Sequence, residues 1–217
     1  MSLIPNSRVG EQEILTQFLD TSSKMSTERR WDERRFQIEE STSSNGGKRT
    51  VFTETMTPGT SVPPHYHTRF SETFDLISGS MTVFKSDQPS ISALENSATT
   101  LQIGAPQTVK PMLWHKYTVG DEVTRLRATI TPGNLDFERV LKILDGLRRD
   151  GEVEKLGNDV VLMTIIMELT DAHLVGPAKG MLDEVYAKRG DEVQARKDEL
   201  LGRYDTDEAL RRLTGKM

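Results

Sequence analysis

Between Phe36 and about Ile130 the chain is cut into short segments rich in Val, Thr, Phe and Ile, each bounded by turn-formers, and this spacing leaves few folds open. Ser43-Ser44-Asn45-Gly46-Gly47 and Asp87-Gln88-Pro89 are such turns, and Gly79 and Gly120 sit where others are needed. Several short strands at close spacing predict a mainly β sandwich or barrel. The clearest strand candidates are Arg49 to Met56, Thr73 to Ile77, Met81 to Lys85, Thr99 to Ile103, Lys116 to Val119 and Val123 to Thr131.

After Thr131-Pro132-Gly133 the period changes to that of a helix: Leu135, Phe137, Val140, Leu141, Ile143, Leu144 and Leu147 fall on one face. Asn134 or Asp136 is placed to cap that helix. A second apolar run, Val160 to Leu169, follows Asn158-Asp159, and a third helical stretch runs from Pro177 through Tyr186. The charged tail from Asp191 onward reads as a solvated last helix. Residues 1–33 are polar and mixed, with a short helical pattern from Glu11 to Leu19. The expected organisation is an N-terminal arm (1–34), a β-barrel (35–132) and a helical extension packed on it (133–217).

Composition removes several function classes. A chain of 217 residues can bury one sizeable core with an appendage, and 35% hydrophobic with 28% charged residues is ordinary for a globular protein. The formal charge of −5, with no basic stripe, argues against nucleic acid as a partner. The sequence has no cysteine, so any metal must be held by His, Asp or Glu. The opening residues MSLIPNSRVG lack the apolar core of a signal peptide. No stretch reaches the ~18 apolar residues of a membrane span, so a cytoplasmic location away from membranes is expected. Val160 to Leu169 is too short to span and reads as a helix buried against the barrel or a dimer partner.

One constellation carries chemistry. The stretch from Gly59 to Gly79 holds His65 and His67 two residues apart, with Glu72 beyond them. In an extended strand residues i and i+2 share a face, so both imidazoles can converge on one ion. A carboxylate from the neighbouring strand, Glu72, favours a hard or borderline divalent cation. His115 follows the turn-like Lys110-Pro111-Met112, opens another strand, and supplies a third imidazole.

At these residues the chain resembles the cupin family. Its first motif, Gly-x5-His-x-His-x4-Glu-x6-Gly, is matched by Gly59, His65, His67, Glu72 and Gly79 at every fixed position. The second, Gly-x5-Pro-x-Gly-x2-His-x3-Asn, is matched only by Gly104 and His115; Lys110, Met112 and Val119 stand at the proline, glycine and asparagine positions. The resemblance is similar in kind to a bacterial group of single-domain cupins with an LDFE-like segment and a GL-RDG stretch, here Leu135-Asp136-Phe137-Glu138 and Gly146-Leu147-Arg148-Arg149-Asp150-Gly151. It covers roughly residues 35 to 188 and implies a double-stranded β-helix, or jelly-roll, barrel. It also implies one divalent ion (Fe, Mn, Ni or Zn) on His65, His67, Glu72 and His115.

Other polar residues have plainer readings. His173 has no partner at ligand spacing and is expected to sit at a helix C-terminus, facing its dipole. Parity puts Tyr117 on the same face as His115, where core packing is the first role and substrate contact the second. Met112 would place a flexible apolar side chain near the mouth of the site, also in reach of a substrate. Asp75, three residues past Glu72, falls on the outer face of its strand. Arg148-Arg149-Asp150 and Lys188-Arg189 read as solvated helix ends.

Four protein ligands on an ion that accepts five or six leave positions open for a small molecule. The expected function is therefore a metal-dependent enzyme, dioxygenase-like or isomerase-like, acting on a small oxygen-bearing organic substrate, with Glu72 as a possible base. The alternative is a non-enzymatic binder or sensor of small molecules. Pairing of edge strands makes a homodimer the expected assembly.

Overall fold

A computed structural model describes residues 36–152 and 159–215, so the expected arm and its Glu11 to Leu19 helix lie outside the described residues. The strands are β1 (Phe36–Glu40), β2 (Thr50–Met56), β3 (Ser61–Tyr66), β4 (Ser71–Ser78), β5 (Met81–Ser86), β6 (Thr99–Thr100), β7 (Gln107–Val109), β8 (Trp114–Val119), β9 (Thr124–Thr131) and β10 (His173–Leu174). A short helix α1 (Ile91–Glu95) interrupts them, and α2 (Leu135–Arg149), α3 (Val160–Leu169), α4 (Met181–Tyr204) and α5 (Asp207–Thr214) follow β9.

The strands form two antiparallel five-stranded sheets, ordered β1-β2-β9-β4-β7 and β10-β3-β8-β5-β6. From β2 to β5 the chain changes sheet at each strand, and it does so again from β7 to β9. That winding is the jelly roll, or double-stranded β-helix. Alternation is clearest in β4 and β9: Glu72, Phe74 and Leu76 of β4 point inward, while Thr73 and Asp75 lie on the other face, Asp75 with Arg127 at 3.6 Å. Met56, Phe74, Leu76, Met81, Val83, Val119 and Leu126 fill the space between the sheets. Gly79 turns β4 into β5 with φ +88, and a Cβ there would stand 2.4 Å from the Thr124 hydroxyl. Only glycine meets both demands.

Several strands differ from the pattern read in the sequence. Thr99 to Ile103 contributes only Thr99–Thr100, because the chain then turns through a Gln102–Ala105 bridge and leaves Ile103 exposed. β3 carries Pro63 and Pro64, which have no N–H to give the ladder, and its register with β8 shifts between Val62 and His65.

Helices α2 and α5 pack on the first sheet. Asn134 caps α2, accepting the Phe137 N–H at 3.0 Å. Phe137 and Leu141 of α2 and Leu213 of α5 pack on Phe36, Ile38, Phe52 and Ile130. A second core joins Val140, Ile143 and Leu147 of α2 to Val161, Leu162 and Ile165 of α3 and to Val193, Leu200 and Tyr204 of α4. Gly146 permits this approach, since a Cβ on it would lie 2.1 Å from the Tyr204 ring.

The tail after Asp191 is therefore not a solvated helix. α4 begins at Met181 rather than Pro177, runs through a non-helical kink at Arg189, and buries Val193, Leu200 and Tyr204. The Arg148-Arg149-Asp150 segment is likewise engaged: Asp150 accepts hydrogen bonds from Tyr204 (2.7 Å) and Arg203 (2.5 Å). No helix among the described residues is long and apolar enough to cross a membrane.

Candidate metal centre

Three strands and one loop deliver the four residues singled out by their spacing. His65 is near the end of β3, His67 just beyond it, His115 is the second residue of β8 and Glu72 the second of β4. His65 and His115 face each other across the β3–β8 ladder. Glu72 comes from the facing sheet, not from a strand beside β3, which corrects the arrangement expected from sequence. One ligand atom from each residue lies within 4.8 Å of all the others, and all four residues are buried. His115 is wholly inaccessible.

The imidazoles are held in one tautomer. The Nδ1 atoms of His65, His67 and His115 lie 2.8, 3.1 and 3.2 Å from the backbone carbonyls of Pro63, Asp171 and Leu113. A carbonyl can only accept, so each Nδ1 carries a proton, and in the neutral ring Nε2 is the atom that keeps the lone pair. The Nε2 atoms of His67 and His115 are buried without a hydrogen-bond partner, each 3.5 Å from Glu72 Oε2. A buried polar atom left this way is costly unless something else satisfies it.

Burial alone would push the Glu72 carboxyl up, but the adjoining His115 and His67 imidazoles outweigh it and hold the group well below the usual carboxylate range. His65 is held well below the ordinary imidazole range, first by burial and then by the neighbouring His115 and His67. The ionised carboxylate of Glu72 and the neutral imidazole of His65 are the forms that ligate a metal. Three imidazole nitrogens and one carboxylate oxygen suit a borderline or hard divalent cation, and the cluster fits a single such ion.

The surroundings are aromatic. The Phe70 ring centroid is 4.5 Å from that of His67, and Phe74 lies 6.5 Å from His115. Tyr117 is half-buried and meets Phe74 edge to face at 5.8 Å. Met112 is exposed, with its backbone in the left-handed region (φ 68) and its N–H donated to the His67 carbonyl at 2.8 Å. His173 is not at a helix end: it lies in β10 opposite Tyr66, stacks on that ring at 4.9 Å, and sets Nε2 3.1 Å from Asp171 Oδ1. It stays outside the cluster. The residue missed from sequence is Asp171, which contacts both His67 and the backbone after it. Its only sequence signal is an acidic residue where a helix would ordinarily stop on glycine or asparagine.

No protein-family model matches the sequence, and no curated protein does. Distant structural similarities exist. The L-ribose isomerase of Geodermatophilus obscurus is 19% identical, over 39% of this chain and 50% of that one, with a TM-score of 0.35. This chain thus spans about half the length of that isomerase. KdgF from Halomonas sp. is 14% identical, over 50% and 90% of the two chains, with a TM-score of 0.37. An uncharacterized conserved protein with a double-stranded beta-helix domain from Klebsiella pneumoniae is 19% identical, over 52% and 93%, with a TM-score of 0.37. At these distances no activity transfers from them.

Proposed function

We propose that this protein is a metal-dependent cupin enzyme that binds one divalent ion on His65, His67, Glu72 and His115 and acts on a small oxygen-bearing organic molecule. The observation that carries the reading is the pair of buried, unpartnered Nε2 atoms on His67 and His115, aimed with Glu72 at a common point. Bound there, iron, manganese, nickel or zinc would supply Lewis acidity toward a carbonyl or hydroxyl oxygen, and the redox-active members electron transfer with dioxygen.

The chain's own residues supply the rest. Glu72 is the cluster's only carboxylate and the candidate to accept a substrate proton. Phe70 and Phe74 exclude water from beside the imidazoles, which strengthens every electrostatic interaction there. Tyr117 is the candidate inner substrate contact and Met112 the outer one.

A second reading, a binder or sensor without turnover, is favoured by the fact that the cluster's one carboxylate is itself a ligand. Elemental analysis of protein purified without chelator tests the site. A single equivalent of metal, lost in His67→Ala and His115→Ala, supports it, whereas a wild-type chain that takes up none of the four metals overturns it. Incubation of the loaded protein with small phenols, diketones and sugars, followed by oxygen uptake and product analysis, then separates turnover from saturable binding without product.

A further inference from the structure

We infer that Asp171 is a positioning residue that holds His67 in its metal-ready tautomer and orientation, so that the helical extension completes the centre. The inference rests on the metal-binding reading above. His65 and His115 need no such help, since each bonds through Nδ1 to a carbonyl two residues earlier in its own strand segment. His67 lies past the end of β3 and takes its carbonyl from Asp171, 104 residues away in sequence.

Asp171 is built for this task at some conformational cost. It follows α3 with φ 53; its N–H bonds to the Glu168 carbonyl at 3.1 Å and the next N–H, of Ala172, to Met167 at 2.8 Å. That pairing closes a helix on a left-handed residue, a conformation disfavoured for side chains bearing a Cβ. The carboxylate explains the choice. Its Oδ2 accepts the backbone N–H groups of Thr68 (2.6 Å) and Arg69 (2.8 Å), and its Oδ1 accepts the Thr68 hydroxyl at 3.0 Å. Arg69 Nε and His173 Nε2 stand 3.4 and 3.1 Å from Oδ1. Asp171 thus grips the two residues after His67 with its side chain and the His67 ring with its carbonyl.

An independent observation points to the same histidine. Among the described residues, two other than glycine have positive φ, Asp171 and Met112, and the Met112 N–H bonds to the His67 carbonyl. Strained backbone persists where the surroundings over-determine it, and such residues gather at functional sites. Here both converge on one candidate ligand.

The test uses the full chain, stripped with chelator and titrated with zinc and cobalt(II), together with the ring ¹⁵N signals of the metal-free protein. Asp171→Gly keeps the left-handed backbone without strain and removes the carboxylate. It should weaken metal binding about tenfold to a hundredfold and turn His67 from the Nδ1–H form into a mixture of tautomers, and Asp171→Asn should recover most of both. A folded Asp171→Gly with wild-type affinity and an unchanged His67 tautomer overturns the inference. If Asp171→Gly does not fold, Thr68→Val decides, since it takes one partner from the same carboxylate: weaker binding with mixed tautomers supports the role, and wild-type behaviour overturns it. Should the wild type bind neither metal, the metal reading fails, while the His67 tautomer still decides the role of Asp171.

Discussion

The carboxylate of Glu138 accepts the backbone N–H of Thr42 at 2.6 Å, joining the start of α2 to the turn between β1 and β2 across 96 residues of sequence. The same carboxylate accepts the Ser41 hydroxyl at 2.7 Å and the Thr50 hydroxyl at 3.0 Å, and Glu138 is 2% exposed. Glu138→Ala strands these donors in the interior. We expect a loss of about 3 kcal/mol in urea unfolding, and a loss below about 1 kcal/mol would show that water satisfies them.

Acid should weaken the metal-free protein in two stages. His65 is held below its ordinary 6.5 and Glu72 below its ordinary 4.5, so in each window the unfolded chain binds the proton that the folded chain resists. Stability therefore rises with pH through both windows, and is lost as pH falls below 6.5 for His65 and below 4.5 for Glu72. Each group adds a slope of at most about 1.4 kcal/mol per pH unit. Denaturant midpoints of chelated protein from neutral pH downward should show the first decline, and His65→Gln should flatten it. Equal slopes in the two proteins would mean that His65 protonates freely in the fold.

Met112→Gly should stabilise the protein. A left-handed non-glycine residue costs about 1–2 kcal/mol, whereas the added freedom of glycine in the unfolded chain costs about 0.4–1 kcal/mol. Met112 is exposed, so little packing is lost. The net gain should be about 0.5–1 kcal/mol in denaturant unfolding, and a loss of stability would show that the side chain packs on the fold.

Leu200→Ala tests the packed tail. Leu200 is 0% exposed in the core shared by α2, α3 and α4. Truncating it should cost about 2–5 kcal/mol, against about 0.5 kcal/mol or less on a solvated helix.

The candidate ligands were legible in the sequence because period-two geometry is local: once β3 is extended, His65 and His67 share a face whatever surrounds them. The sheet from which Glu72 arrives is not local, since strand order is set by how the chain winds, and a neighbouring strand was the natural but mistaken expectation. β3 itself is half hidden, because Pro63-Pro64 reads as a loop until its neighbours are seen. The tail misled for a different reason. Val193, Leu200 and Tyr204 are spaced by seven and four residues among charges, a stripe too narrow to distinguish from a solvated helix without α2 and α3 against it. His173 and Asp171 acquire their partners only when β10 pairs with β3.

Because Glu72 belongs to one sheet and His65 and His115 to the other, an ion held by all four residues would be a rivet through the thickness of the molecule. It can be gripped only after the two layers have closed on each other. Metal capture during refolding would then act as a clock for that closure, silent while the strands pair within each layer and sounding only when the layers meet.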